Sequence, residues 1–186
     1  MPASAFAGYL TSPLTTYNAT SWMDHTTPAY RNILDQFPGL MTKYDGTTGA
    51  SYDGHAGTDL VALVGTPVIA SAAGTISYAG YDDCGGNYIR IWHPDQGHST
   101  YYFHLHDFVV NSGPVYRGQL IAHSGDSGDH MYCITGPHLH FEVRNGQPPA
   151  VPMDPYGWSG SGNDPWSFDQ GYLWTTNPPS TNPPGT

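Results

Sequence analysis

Gly136-Pro137-His138-Leu139-His140-Phe141-Glu142-Val143 alternates polar and apolar side chains behind a Gly-Pro pair, the pattern of a β-strand. A period of two puts the rings of His138 and His140 on one strand face. Such a face can hold a metal, although a lone H-x-H fits equally well with one satisfied core histidine and one surface histidine. Far upstream, His55-Ala56-Gly57-Thr58-Asp59 adds another histidine and an aspartate four residues apart. The spacing is again even, and each pair lies beside a glycine, where backbone can approach closely. His, Asp and His suit zinc, and three protein ligands leave a fourth position to water, as in a catalytic site.

Short strand-like runs surround these pairs: Thr58–Val64, Pro67–Ala70, Gly74–Tyr78, Asn87–Trp92, Thr100–His104, Gln119–Ala122 and His138–Arg144. Gly- and Pro-bearing stretches such as Gly65-Thr66-Pro67, Gly85-Gly86, Gly113-Pro114 and Gly125–Gly128 separate them. One short helix is expected over Pro28–Phe37, stopped by Pro38-Gly39. Regular short strands with so little helix predict an all-β fold, an antiparallel sheet or sandwich.

The 186 residues suffice for one domain with a substantial core. Only 11% are charged, and the formal net charge is −10. That balance argues against nucleic acid, which is bound through Lys and Arg, and against a basic membrane-surface role. No apolar run approaches the roughly 20 residues of a membrane span. The N-terminus lacks a basic region and an apolar core of signal-peptide length, so a secreted form of this chain is expected to be mature or excised. Cys84 and Cys133 allow one disulfide. Low Lys content and Trp/Tyr/Gly richness favour an extracellular protein and a bridge, with two buried free thiols as the alternative.

Four stretches together carry a family pattern: His55-Ala56-Gly57-Thr58-Asp59-Leu60, Tyr102-Phe103-His104-Leu105, Val115 to Gly125, and Thr135 to Val143. In order and spacing the chain resembles the lysostaphin-type zinc metallopeptidases, the M23 family of peptidoglycan endopeptidases. The resemblance runs over 47–158 and implies a β-sheet domain with long groove-forming loops. An irregular segment, 1–46, would pack on or near it. Residues 159–186 form an aromatic and then Pro-rich tail, whose repeated Asn-Pro-Pro reads as a linker to a possible further module.

The resemblance implies zinc (Zn2+) held by His55, Asp59 and His140, with His104 and His138 as the catalytic histidines. One Asp among the ligands leaves the site with net charge near +1, enough to bring a bound water's pKa to about 7. Imidazole, with a reference pKa of about 6.5, can exchange a proton at that pH. One catalytic histidine would act as general base and the other would hydrogen-bond the developing oxyanion. The loop from Asp126 to Met131 would wall the groove, tethered through Cys133 to Cys84. His106 is expected in a loop at the cleft rim, and His123 in the core or on a neighbouring strand. His25, His93, His98 and His130 belong to no motif, and most are expected to be exposed. Glu142 either orients a ligand from outside or makes a surface salt bridge. The expected protein is a secreted, cell-wall-associated monomer that cuts peptidoglycan stems or cross-bridges. A β-lytic or elastinolytic protease acting on Gly-rich proteins, or a non-catalytic scaffold, would be the alternatives.

Overall fold

In a computed structural model of the protein, the described residues are 8–15, 19–21, 41–42, 48–49, 55–130, 133–134, 136–153, 155 and 173–176. They form fourteen strands: β1 (Leu10–Thr11), β2 (Ala19–Ser21), β3 (Met41–Thr42), β4 (Thr48–Gly49), β5 (Thr58–Val61), β6 (Pro67–Ile69), β7 (Gly74–Asp82), β8 (Gly86–His93), β9 (His98–Phe108), β10 (Gly113–Val115), β11 (Leu120–Ser124), β12 (His138–Asn145), β13 (Val151–Met153) and β14 (Trp174–Thr176). No helix occurs among the described residues. The helix expected at Pro28–Phe37 lies outside them.

The main sheet has the order β10-β7-β8-β9-β12-β5-β2, with β11 pairing β6 and β9, and β13 pairing β12. Its ladders are antiparallel. The short ribbon β1–β14 differs in being parallel, which strands distant in sequence can be. Each of the seven expected runs holds a strand: β7, β8, β9 and β12 are longer than expected, β5 and β6 end earlier, at Val61 and Ile69, and β11 is shifted to Leu120–Ser124.

Alternation gives the sheet a dry face and a polar face. Leu139, Phe141 and Val143 of β12, Tyr102 of β9, Ile89 and Ile91 of β8 and Leu60 of β5 are buried in one cluster. Leu10, Leu14, Leu173 and Trp174 join the same cluster, and the Trp174 ring lies 5.9 Å from that of Phe141. On the opposite face β12 presents His138, His140, Glu142 and Arg144. Its neighbours there are Asp59 of β5, opposite His140, and Phe103 and Tyr101 of β9, opposite His140 and Glu142.

Candidate metal centre

The register of two ladders assembles the first part of the site. Pairing of β12 with β5 sets His140 directly opposite Asp59, and His140 Nδ1 lies 2.7 Å from Asp59 Oδ1. His55 comes from the segment leading into β5. Its Nε2 is 3.1 Å from Asp59 Oδ1 and 3.0 Å from His140 Nδ1. Gly57 makes that approach possible: a Cβ there would overlap the Phe141 carbonyl and come within 2.9 Å of His140 Nε2. One ligand atom from each of His55, Asp59 and His140 thus lies within 4.8 Å of the others.

This donor set fits a divalent cation of zinc's kind, with two imidazole nitrogens and one carboxylate converging and His55 fully buried. Burial would raise the Asp59 carboxyl, but His55 and His140 outweigh it and hold Asp59 well below its usual range. Burial likewise works against a charged His140, yet its bonds to Asp59 and Glu142 raise it to about 9. His140 Nε2 donates to Glu142 Oε1 at 3.0 Å, which leaves Nδ1 as its atom for a metal. Glu142 is itself buried, and its other oxygen pairs with Arg144. Glu142 thus meets each of the two expectations in part: it bonds His140, and it makes a salt bridge, with Arg144, though from a buried position.

Two further histidines face the cluster. His138 Nδ1 donates to the Gly136 carbonyl (2.8 Å), and its Nε2 lies 3.5 Å from Asp59 Oδ1. The His104 ring centre is 4.6 Å from that of His138 and 6.0 Å from that of His140. Simple alternation would have put His104 on the dry face beside Tyr102. Instead β9 holds an extra residue: Asn87 pairs with Leu105 but Ile89 with Tyr102. His104 has φ 61°, a left-handed conformation that bends the strand. The bulge sends Leu105 into the core and His104 to the polar side. Burial, with the nearby His140 and His138 rings, pushes His104 down to about 3, so its ring is neutral.

A clamp fixes that ring. His104 Nδ1 donates to the Ser127 carbonyl (3.1 Å). The Ser127 hydroxyl donates to the Leu105 carbonyl (2.7 Å) and accepts from Asn87 N–H (2.9 Å). Cys84 and Cys133 form a disulfide beside this contact, their Cα atoms 5.4 Å apart.

The model of peptidase family M23 matches residues 53–155. The chain belongs to the M23 family. Over 89 residues it is 42% identical to the peptidoglycan DD-endopeptidase ShyC of Vibrio cholerae, covering 47% of this chain and 19% of that protein. Over 96 residues it is 41% identical to the glycyl-glycine endopeptidase ALE-1 of Staphylococcus capitis, covering 50% of this chain and 25% of that protein. The chain therefore spans a quarter or less of the length of these relatives. Among solved structures it is similar to the catalytic domain of lysostaphin from Staphylococcus simulans, with TM-score 0.50 and 37% identity, covering 55% of this chain and 77% of that one.

The remaining histidines of the M23 chain follow expectation only in part, with His123 on a neighbouring strand as expected. His106 is exposed but sits on β9 rather than in a loop. His123 is half-buried on β11, with its Nδ1 2.8 Å from Asp107 Oδ1. His93 is buried, His98 half-buried and His130 exposed, so most of this described group is not exposed. His25 and Met131 fall outside the described residues. Ser127 carries no signal in the sequence, since nothing in Gly125–Gly128 marks which carbonyl meets His104.

Proposed function

We propose that this M23 domain is a zinc metalloendopeptidase that hydrolyses peptide bonds in the stems or cross-bridges of bacterial peptidoglycan. The observation that carries the reading is one cluster: His55 Nε2, Asp59 Oδ1 and His140 Nδ1 converge, and His138 and His104 stand beside them with Nδ1 already engaged. Zinc bound by His55, Asp59 and His140 would polarise the scissile carbonyl and lower the pKa of a water. The Nε2 atoms of His104 and His138 are then the groups that handle the reacting peptide. One accepts the proton of the attacking water, and the other, when its Nε2 carries a proton as well as its Nδ1, donates to the carbonyl oxygen as it gains charge. Glu142 holds His140 in the tautomer that ligates, and Ser127 holds His104 with Nε2 toward the substrate.

Peptidoglycan as substrate is supported by the names of the relatives, which cut DD and glycyl-glycine bonds. Action outside the cytoplasm, extracellular or periplasmic, follows from that substrate and fits the disulfide. Defined muropeptides, one set with D-Ala-containing cross-links and one with Gly cross-bridges, test the reading by product mass spectrometry. New amino and carboxyl ends should appear, vanish with a chelator and return with zinc. Uncut muropeptides, or cutting that ignores the chelator, would overturn it.

A further inference from the structure

On the polar face of the sheet two guanidinium groups flank one ring. Tyr101 of β9 stands opposite Glu142 of β12 on one side and Arg90 of β8 on the other. The guanidinium carbons of Arg144 and Arg90 lie 4.4 Å and 5.9 Å from the Tyr101 ring centre. These are two of only five Lys and Arg residues in a chain of net charge −10. Their partners differ. Arg144 is paired with Glu142. Arg90 makes no ion pair among the described residues. Its Nε donates to Ser77 Oγ (2.9 Å) and one terminal nitrogen to the Ser77 carbonyl (3.3 Å). Those bonds aim the guanidinium without neutralising it.

Arg90 is continuous with the metal centre through a row of rings. Ring centres are 5.5 Å apart for His140 and Phe103, 4.9 Å for Phe103 and Tyr88, and 4.7 Å for Tyr88 and Tyr78. Gly80, opposite Tyr88, lets the row close: a Cβ there would meet the Tyr78 hydroxyl at 2.5 Å. Arg90 sits at the outer end, 5.7 Å from the Tyr78 ring centre. The last three rings stack face on face, so a ligand meets their edges and hydroxyls. That surface suits a peptide with a polar group better than the flat face of a sugar.

We propose that Arg90, with Arg144 across Tyr101, forms a subsite for a carboxylate of the peptide substrate. The inference rests on the peptidase reading above. Strands are about 4.8 Å apart and residues about 3.3 Å along a strand, so Arg90, two strands across and two residues along from His140, lies roughly 12 Å from it, the reach of about three to four extended residues. A guanidinium fork matches a carboxylate, and it is the local charge that admits an anionic chain to an otherwise acidic protein.

The test uses short D-Ala/Gly peptides carrying a free carboxylate three residues to either side of the scissile bond, each paired with its amide. Turnover and equilibrium binding to the zinc-loaded protein are measured together. One acid peptide should show a KM and Kd about tenfold below those of its amide. Arg90→Gln should erase that advantage while kcat stays unchanged, and Arg90→Lys should restore only part of it. Thermal melts of both variants establish that they fold, with the lysine variant carrying the test where the glutamine variant does not. Arg144 is left intact, because removing it would strand Glu142 beside His140. Native protein that treats acids and amides alike, or an Arg90→Gln variant that keeps the preference, would overturn the subsite. If no peptide is cut but an acid binds native protein more tightly than Arg90→Gln, the peptidase reading falls and the subsite stands.

Discussion

His104 occupies a backbone conformation that a non-glycine residue adopts at a cost of about 1–3 kcal/mol, because its Cβ crowds its own carbonyl. The bonds around Ser127 hold it there, and the strained turn is what carries the ring from the dry face to the polar one. His104→Ala should therefore lose turnover by at least a hundredfold yet keep its metal, and His138→Ala should do the same. Replacing His55, Asp59 or His140 should lose the metal. Elemental analysis separates the two groups, and metal loss from His104→Ala would refute the assignment. Strain has its own readout. His104→Gly should be about 1 kcal/mol more stable than His104→Ala in urea unfolding, since glycine relieves the left-handed conformation; equal midpoints would place no strain there.

At the scale of elements, His104 depends on a glycine-lined contact between the β7–β8 turn and the 125–128 loop. Gly86 has φ +65°, and a Cβ on it would overlap the Ser127 carbonyl that receives His104 Nδ1. Gly86→Ala should thus cost about 1 kcal/mol or more of stability and also reduce kcat. Ser127→Ala is the milder probe: it removes both hydroxyl bonds but keeps the carbonyl. It should lower kcat several-fold with KM and zinc content unchanged, and a normal kcat would show that the hydroxyl does not position His104. At this contact local sequence pattern ceases to be informative. The seven strands were legible because Leu139, Phe141 and Val143 or Ile89 and Ile91 recur at every second position. Even spacing offers His55, Asp59 and the two histidines of the H-x-H pair as candidates, and only the family resemblance selects His140 over His138 to stand with Asp59. The bulge at His104 was not, since period two argues against it and only the family resemblance named the residue. The strands Gly113–Val115 and Val151–Met153 each contain a proline, which cannot donate to a ladder and so hides a strand from local pattern.

Across the whole molecule, the segments around Tyr9 and Leu173 are tied to the sheet through a histidine network invisible to local pattern. Backbone N–H groups of Tyr9 and Leu10 donate to the Leu173 carbonyl (2.7 and 2.8 Å), a pairing between residues too far apart for periodicity to reveal. The Tyr9 hydroxyl is hydrogen-bonded to His98 Nδ1 (2.8 Å), and the Tyr9 ring stands 6.0 Å from that of His93. His93 Nδ1 donates to the Ala73 carbonyl (2.7 Å), so its Nε2 accepts from the Thr100 hydroxyl (2.8 Å). Burial lowers both histidines, with His98 adding to the effect on His93. A histidine lowered in the folded state binds fewer protons than its unfolded counterpart, whose pKa is about 6.5. Its stabilisation is therefore complete above that value and is lost as pH falls toward the folded pKa. The slope approaches about 1.4 kcal/mol per pH unit for one histidine. His104 acts in the same direction, whereas the depressed Asp59 and Glu142 contribute only near and below their ordinary values of 3.8 and 4.5. Comparing native protein with His93→Gln isolates one group from the rest. In urea unfolding from pH 7.5 to 5, the stability gap between them should narrow as the pH drops below about 6.5; a gap that stays constant would mean that His93 does not titrate differently on folding.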